Sequence, residues 1–111
     1  MTDEAKLSRL KILLGITVND EDELLTEYLA IAKDEILNWL YIRLGAVPGG
    51  VDTVPTAYEQ IQIMAVVAAY NIRGAEGQTL HIENGVHRDF VYDDLVKYIQ
   101  THVYPYVRLL S

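Results

Sequence analysis

Two serines, Ser8 and Ser111, three histidines, His81, His87 and His102, and no cysteine are the stock from which nucleophilic or metal chemistry would have to be built. An activated serine needs a histidine held at its hydroxyl. Ser8 falls early in the first helical stretch and Ser111 is the last residue. Lack of cysteine removes disulfides and thiolate metal sites and is compatible with a reducing cytoplasm. His81 and His87 fall on opposite faces of the hairpin argued below, so they cannot converge on one ion. The acidic run Asp20-Glu21-Asp22-Glu23 lacks the alternating oxygen ligands and central glycine of a calcium loop. Gly74-Ala75-Glu76-Gly77 carries a carboxylate and precedes a strand pattern, whereas a phosphate-cradling loop needs a following helix and usually a lysine. Glu35 and Trp39, four residues apart, place a carboxylate beside an aromatic, but nothing else marks a cleft there. These residues point away from an enzyme and supply no catalytic, cofactor-binding or metal site.

Aromatic side chains carry more information. Eight tyrosines and one tryptophan are amphipathic anchors of the kind favoured at protein interfaces, although they also fill cores. Trp39, Tyr104 and Tyr106 are the candidates for interface anchors. Sixteen acidic against nine basic residues give a formal charge of −7, which opposes attraction to a phosphate backbone and disfavours sequence-specific DNA binding. Half of the 111 residues are apolar and the mean hydropathy is +0.09, enough for one domain spanning 1–111 and for a partner surface besides. The acidic start MTDEAKLSRL has no secretory pattern. The apolar run Ile61 to Ile72, interrupted by Gln62, is shorter than the roughly 20 residues that span a bilayer.

The elements that must position these residues are mostly helices. A first helix starts near Thr2 or Asp3, carries Leu7, Leu10, Leu13 and Leu14 on one face, and stops at Gly15. Asn19 to Glu23 supplies an N-cap candidate and carboxylates suited to a helix N-terminus. The long helix that follows carries Leu25, Tyr28, Leu29, Ala32, Ile36, Trp39 and Leu40 at a 3.6 period until Gly45. Ile31, Leu37, Tyr41 and Ile42 lie off that stripe and imply a second buried surface. Ala46 to Val54, with Pro48-Gly49-Gly50, is the main loop. Pro55 and the Thr56-x-x-Glu59 spacing predict the start of a third helix, with Ile61, Met64, Ala65, Ala68, Ala69 and Ile72 on one face and Gly74 at its end.

The period then changes to two. Thr79 to Glu83 and Val86 to Val91 flank Asn84-Gly85, the pair suited to a type I′ turn, and predict a β-hairpin. In that register Glu83 pairs with Val86, Ile82 with His87 and His81 with Arg88. A lone hairpin is marginal in water and must lean on the helices or on a neighbouring chain. Asp93 or Asp94 can cap a last helix carrying Leu95, Tyr98, Ile99, His102 and Val103, which ends or kinks before Pro105. The tail from Tyr104 to Leu110 is apolar enough to dock on its own domain or on a partner. The fold class is therefore mainly α, a compact bundle of about four helices with one hairpin between the third and last.

Several stretches resemble the phage head-tail connector family, small virion proteins of tailed bacteriophages associated with DNA packaging. They are Leu10 to Ile16 with the following acidic Asn19 to Glu23 and Leu24-Leu25, the helix from Ile31 through Trp39-Leu40, and Ile61 to Arg73. The most specific is Arg73-Gly74-Ala75-Glu76-Gly77-Gln78-Thr79 leading to Glu83-Asn84-Gly85 and Arg88. Leu80 and Ile82 stand where related hairpins carry small polar residues. The resemblance implies a structural neck protein, made in the host cytoplasm and resident in the virion, with no cofactor and no membrane. It further implies a homo-oligomeric ring of about twelve subunits that docks on the portal protein and extends the DNA channel without sequence-specific binding. The same ring would offer an attachment surface to a stopper or tail-completion protein. The expected oligomer or portal contacts are Trp39, Tyr41, His81, Glu83, Asn84, Gly85, Arg88, Tyr104, Tyr106, Leu109 and Leu110. A negative charge suits a channel through which DNA slides without sticking. The alternative reading is a small acidic helical regulator or antitoxin-like module that binds one protein partner.

Overall fold

A computed structural model describes residues 1–76 and 94–107, and the side chains of 1–71 and 94–107. Four helices make up the described part: α1 (Asp3–Leu14), α2 (Asp22–Leu40), α3 (Glu59–Glu76) and α4 (residues 94–102). Among the described residues there is no strand. The expected hairpin lies outside them, as do the Asp93 cap and the side chain of Ile72.

Local chemistry sets the helix ends. The Thr2 hydroxyl accepts from the Ala5 N–H at 3.0 Å, satisfying one of the orphan donors of the first turn. Gly15 closes α1 at φ 74, a left-handed conformation that costs glycine little. At the start of α2 the N-cap is Glu21, inside the expected Asn19 to Glu23 run, but with no side-chain cap bond; Asn19 accepts from Lys11 Nζ at 2.8 Å instead. Asp22 faces the same ammonium at 2.7 Å, an ion pair that ties the end of α1 to the first turn of α2. The α-helical part of α2 stops at Leu40 rather than running to Gly45. The chain tightens into a 3₁₀ turn over Ile42–Leu44, and Gly45 at φ 93 ends that turn.

α3 is entered through Pro55 and a 3₁₀ turn over Thr56–Tyr58, without the expected capping box. The Glu59 carboxylate is turned instead to the Met1 amine at 3.1 Å and to Lys6 at 3.8 Å. α3 also continues through Gly74, the expected stop, to Glu76. Glycine in a helix costs about 0.5–1 kcal/mol relative to alanine but breaks no hydrogen bond, so it weakens a helix without ending it.

The core is one cluster. α2 contributes Leu25, Leu29, Ala32, Ile36, Leu37 and Leu40, α1 contributes Leu10, and the loop before α3 contributes Val54. α3 adds Ile63, Ala65, Val66 and Ala69, and the C-terminal part adds Leu95, Ile99 and Val103. Burying each of the larger side chains stabilises the fold by about 1.5–3 kcal/mol. Leu37 on the expected second surface is buried, with Ile31 and Tyr41 packed on the cluster, while Ile42 stays exposed. Leu13, expected on the buried face of α1, is exposed as well. The buried row of α3 is turned from the expected one. Ala65 and Ala69 are shared, but Gln62, Ile63 and Val66 face inward while Ile61, Met64 and Ala68 are half-buried. α3 is apolar on most of its circumference, so periodicity alone does not fix its rotation, and the face turned inward carries Gln62 with partners in Lys6 and the Leu29 carbonyl.

Candidate assembly surface

The C-terminal end of α2 gathers one group of aromatic residues. Trp39 is half-buried on α2, and its indole N–H donates to the Val103 carbonyl at 2.8 Å. The chain just past α4 is thereby tied to α2. The Leu40 carbonyl, one of the acceptors left open at a helix C-terminus, receives the Tyr106 N–H at 2.8 Å. Pro105 halts the helical course, as its missing N–H and its effect on Tyr104 require. The residues after α4 then meet the end of α2 through the bond from Tyr106 to Leu40. Tyr106 meets Tyr41 edge to face, with ring centroids 5.1 Å apart at 67°, a favoured geometry for aromatic pairs. Burial pushes the Tyr106 phenol above its usual pKa of 10.0, and the neighbouring Tyr41 and Tyr58 hydroxyls push it further.

Tyr104 points the other way. It is 78% exposed, and Val107 is 71% exposed. Of the expected contact residues, the structure brings Trp39, Tyr41 and Tyr106 together and sets Tyr104 beside them on the surface. His81, Glu83, Asn84, Gly85, Arg88, Leu109 and Leu110 lie outside the described residues. Tyr58, which shares the aromatic group with Tyr41 and Tyr106, was not among the expected residues. Its only signal in the sequence is that it lies one turn into the third helical stretch.

A second polar feature was equally hidden. Lys6 is buried, and its ammonium donates to Gln62 Oε1 at 2.7 Å, while Gln62 Nε2 donates to the Leu29 carbonyl at 2.8 Å. This chain joins α1, α2 and α3 through the interior. Lys6 stands four residues before Leu10, and Gln62 interrupts an apolar run; these two facts were its only traces. Elsewhere Tyr70 of α3 donates to the Glu21 carboxylate at the start of α2.

Among the described residues, groups suited to chemistry do not converge. Ser8 is exposed on α1. His102 is exposed too, stacked on Tyr98 at 4.1 Å, with Nδ1 donating to the Tyr98 carbonyl at 2.8 Å. Among the described residues no cluster of histidine, aspartate and glutamate could hold a metal ion, and no helix is long and apolar enough to cross a membrane. Hollows of about 280, 240 and 70 Å³ adjoin one another along α2 and share Lys33. Their walls mix Asp3, Asp34 and Asp52 with apolar Leu37 and Val51.

A fold closed by helix packing, with Trp39, Tyr41, Tyr58 and Tyr106 grouped at one end of α2 and no metal-binding cluster among the described residues, suits a protein that joins other proteins. Neither a curated protein nor a solved structure gives a significant match to the chain. A family model for phage gp6-like head-tail connector proteins matches residues 4–106, taking in all four helices and the Tyr104-Pro105-Tyr106 segment. Members of that family are structural, non-enzymatic proteins of the phage neck, associated with portal and tail proteins. The chain belongs to the phage gp6-like head-tail connector protein family.

Proposed function

We propose that this protein is a resident of the virion neck, where it assembles as a homo-oligomeric ring that docks on the portal and extends the DNA channel. The ring, closed by cyclic symmetry and of about twelve subunits as the family resemblance implies, offers its far side to a stopper or tail-completion protein. One folding unit over residues 1–111 builds each subunit. The observation that carries this reading is the family match over residues 4–106, joined to a surface that keeps large apolar side chains after the core is complete. Tyr104, Val107, Ile12, Val18 and Ile42 are all more than half exposed, apolar surface that partner chains can cover. Trp39, Tyr41, Tyr104 and Tyr106, the hairpin residues His81, Glu83, Asn84, Gly85 and Arg88, and Leu109 and Leu110 supply the subunit or portal contacts. A formal charge of −7 keeps the channel from holding the phosphates of passing DNA.

The test is a mass measurement of the purified protein alone and mixed with its portal ring. The expected outcome is a discrete complex holding one ring of connector subunits per portal. A monomer in isolation is consistent with the reading, because weak interfaces assemble only when a template raises their local concentration. Failure to join the portal or any neck assembly would sink it.

A further inference from the structure

Two exposed patches of the molecule differ in both apolar character and charge, and they sit at opposite ends of α2. At the first end, Lys11 holds the end of α1 against Asp22. There Ile12 is 77% exposed and Leu13 and Val18 are about half exposed. Asp20 and Glu23 stand exposed beside them. At the second end, where the Tyr106 N–H meets the Leu40 carbonyl, Ile42, Tyr104 and Val107 are exposed beside the exposed Arg43. Among the described residues, the side chains of Asp20, Glu23 and Arg43 have no hydrogen bond or ion pair of their own. The 19 residues of α2 separate the two ends by roughly 28 Å at 1.5 Å per residue.

Resting on the ring reading above, we infer that neighbouring subunits meet head to tail, the aliphatic, acidic patch of one chain covering the aromatic, basic patch of the next. The occupant of each patch is a second copy of this chain. The charges decide which surfaces meet. Setting like patches together would place Asp20 and Glu23 against themselves, or Arg43 against itself, whereas joining the two ends of neighbouring chains brings unlike charges together around an apolar centre. It also covers both patches at once, and it is the kind of contact from which a closed ring is built.

The native chain has no cysteine, so two can be placed without interference: Val18→Cys and Ile42→Cys. With both in one chain, assembled on the portal ring and oxidised, the expected product is a ladder of covalent multimers running beyond the dimer. Either substitution alone is expected to give no dimer. The charged rim is tested separately. Arg43→Glu should lower subunit–subunit association by roughly tenfold, and Glu23→Arg in the same chain should restore it. Circular dichroism checks that each variant keeps its helices. Portal-bound rings without a ladder would overturn the inference while leaving the ring intact, and would assign the patches to the portal or a tail protein. Dimers from a single cysteine would overturn it in favour of a two-fold contact. If the unsubstituted protein joins no portal or neck assembly, the ring reading itself falls.

Discussion

Two seams hold the helices of this protein together, and they are built from opposite materials. The seam between α1 and α3 is polar and side-chain specific: Lys6, Gln62 and the Leu29 carbonyl form a buried chain, and Glu59 gathers the Met1 amine and Lys6. The seam at the end of α2 relies on a backbone hydrogen bond from Tyr106 to Leu40, one indole bond from Trp39 and an aromatic contact. A buried polar chain is costly to disturb, because any member left unpaired keeps its full desolvation cost. A backbone bond asks nothing of the side chain that carries it, so the segment after α4 can be anchored while Tyr104 and Val107 face outward. The first seam locates the helices. The second presents residues to a partner.

The sharpest way to break the contrast is to remove the largest side chain from the second seam. Trp39→Ala takes away half-buried packing and the bond to Val103 together, and large-to-small changes of this kind cost about 3 kcal/mol or more. In urea unfolding the midpoint should fall accordingly. Hydrogen exchange should accelerate first in residues 94–103 and leave the amides of α1 protected. Equal acceleration in α1 would mean that the seams are not separable.

The first seam calls for a double substitution. Lys6→Met leaves the Gln62 amide oxygen without its cation in the interior, at a cost of about 1–3 kcal/mol. Adding Gln62→Leu replaces both partners by apolar groups, while the Leu29 carbonyl keeps its helical donor. The double variant should therefore be more stable than Lys6→Met alone, read from urea midpoints at constant m-value. Additive losses would show that Lys6 stabilises through Glu59 rather than through Gln62.

The two seams were not equally legible in the sequence. The aromatic end was foreseen in part, since Trp39, Tyr104 and Tyr106 stood out by residue type and Pro105 marked where helix gives way to tail. The helices themselves were legible because apolar residues recur at 3.6 and because Thr2 and Gly15 have side-chain and backbone chemistry that acts within one turn. What stayed hidden depends on partners far along the chain. Lys6 and Gln62 are 56 residues apart, and nothing in either neighbourhood reveals that they meet. The same distance explains the error at Glu59, whose capping chemistry was correct locally but lost to Met1 and Lys6. In α3 an almost fully apolar surface left the rotation undetermined by periodicity. The hairpin, which carried the most specific likeness to the connector family, lies outside the described residues.

A smaller effect sharpens the aromatic seam. Edge-to-face pairs contribute about 0.5–1.5 kcal/mol beyond the area they bury, so a double-mutant cycle of Tyr41→Ala and Tyr106→Ala should show a coupling energy in that range. Coupling near zero would leave the Tyr106 backbone bond as the whole attachment of the tail.

The smallest effect comes from titration of the same ring. Burial, then Tyr41 and Tyr58, raise the Tyr106 pKa above 10.0 in the folded protein, so between the unfolded and folded values the native state holds a proton that the unfolded chain has released. Linkage then makes stability fall with rising pH. The contribution is fully present below the unfolded value and is lost as pH climbs through the folded one, a window that begins near 10. Tyr106 is still partly exposed, so solvent screens the interaction and the slope should be shallow. Tyr106→Phe removes the titrating group and keeps the ring against Tyr41. Its urea midpoint should match the unsubstituted protein near neutral pH and decline less above pH 10. An unchanged alkaline slope would assign that loss to the other tyrosines and remove Tyr106 from the account.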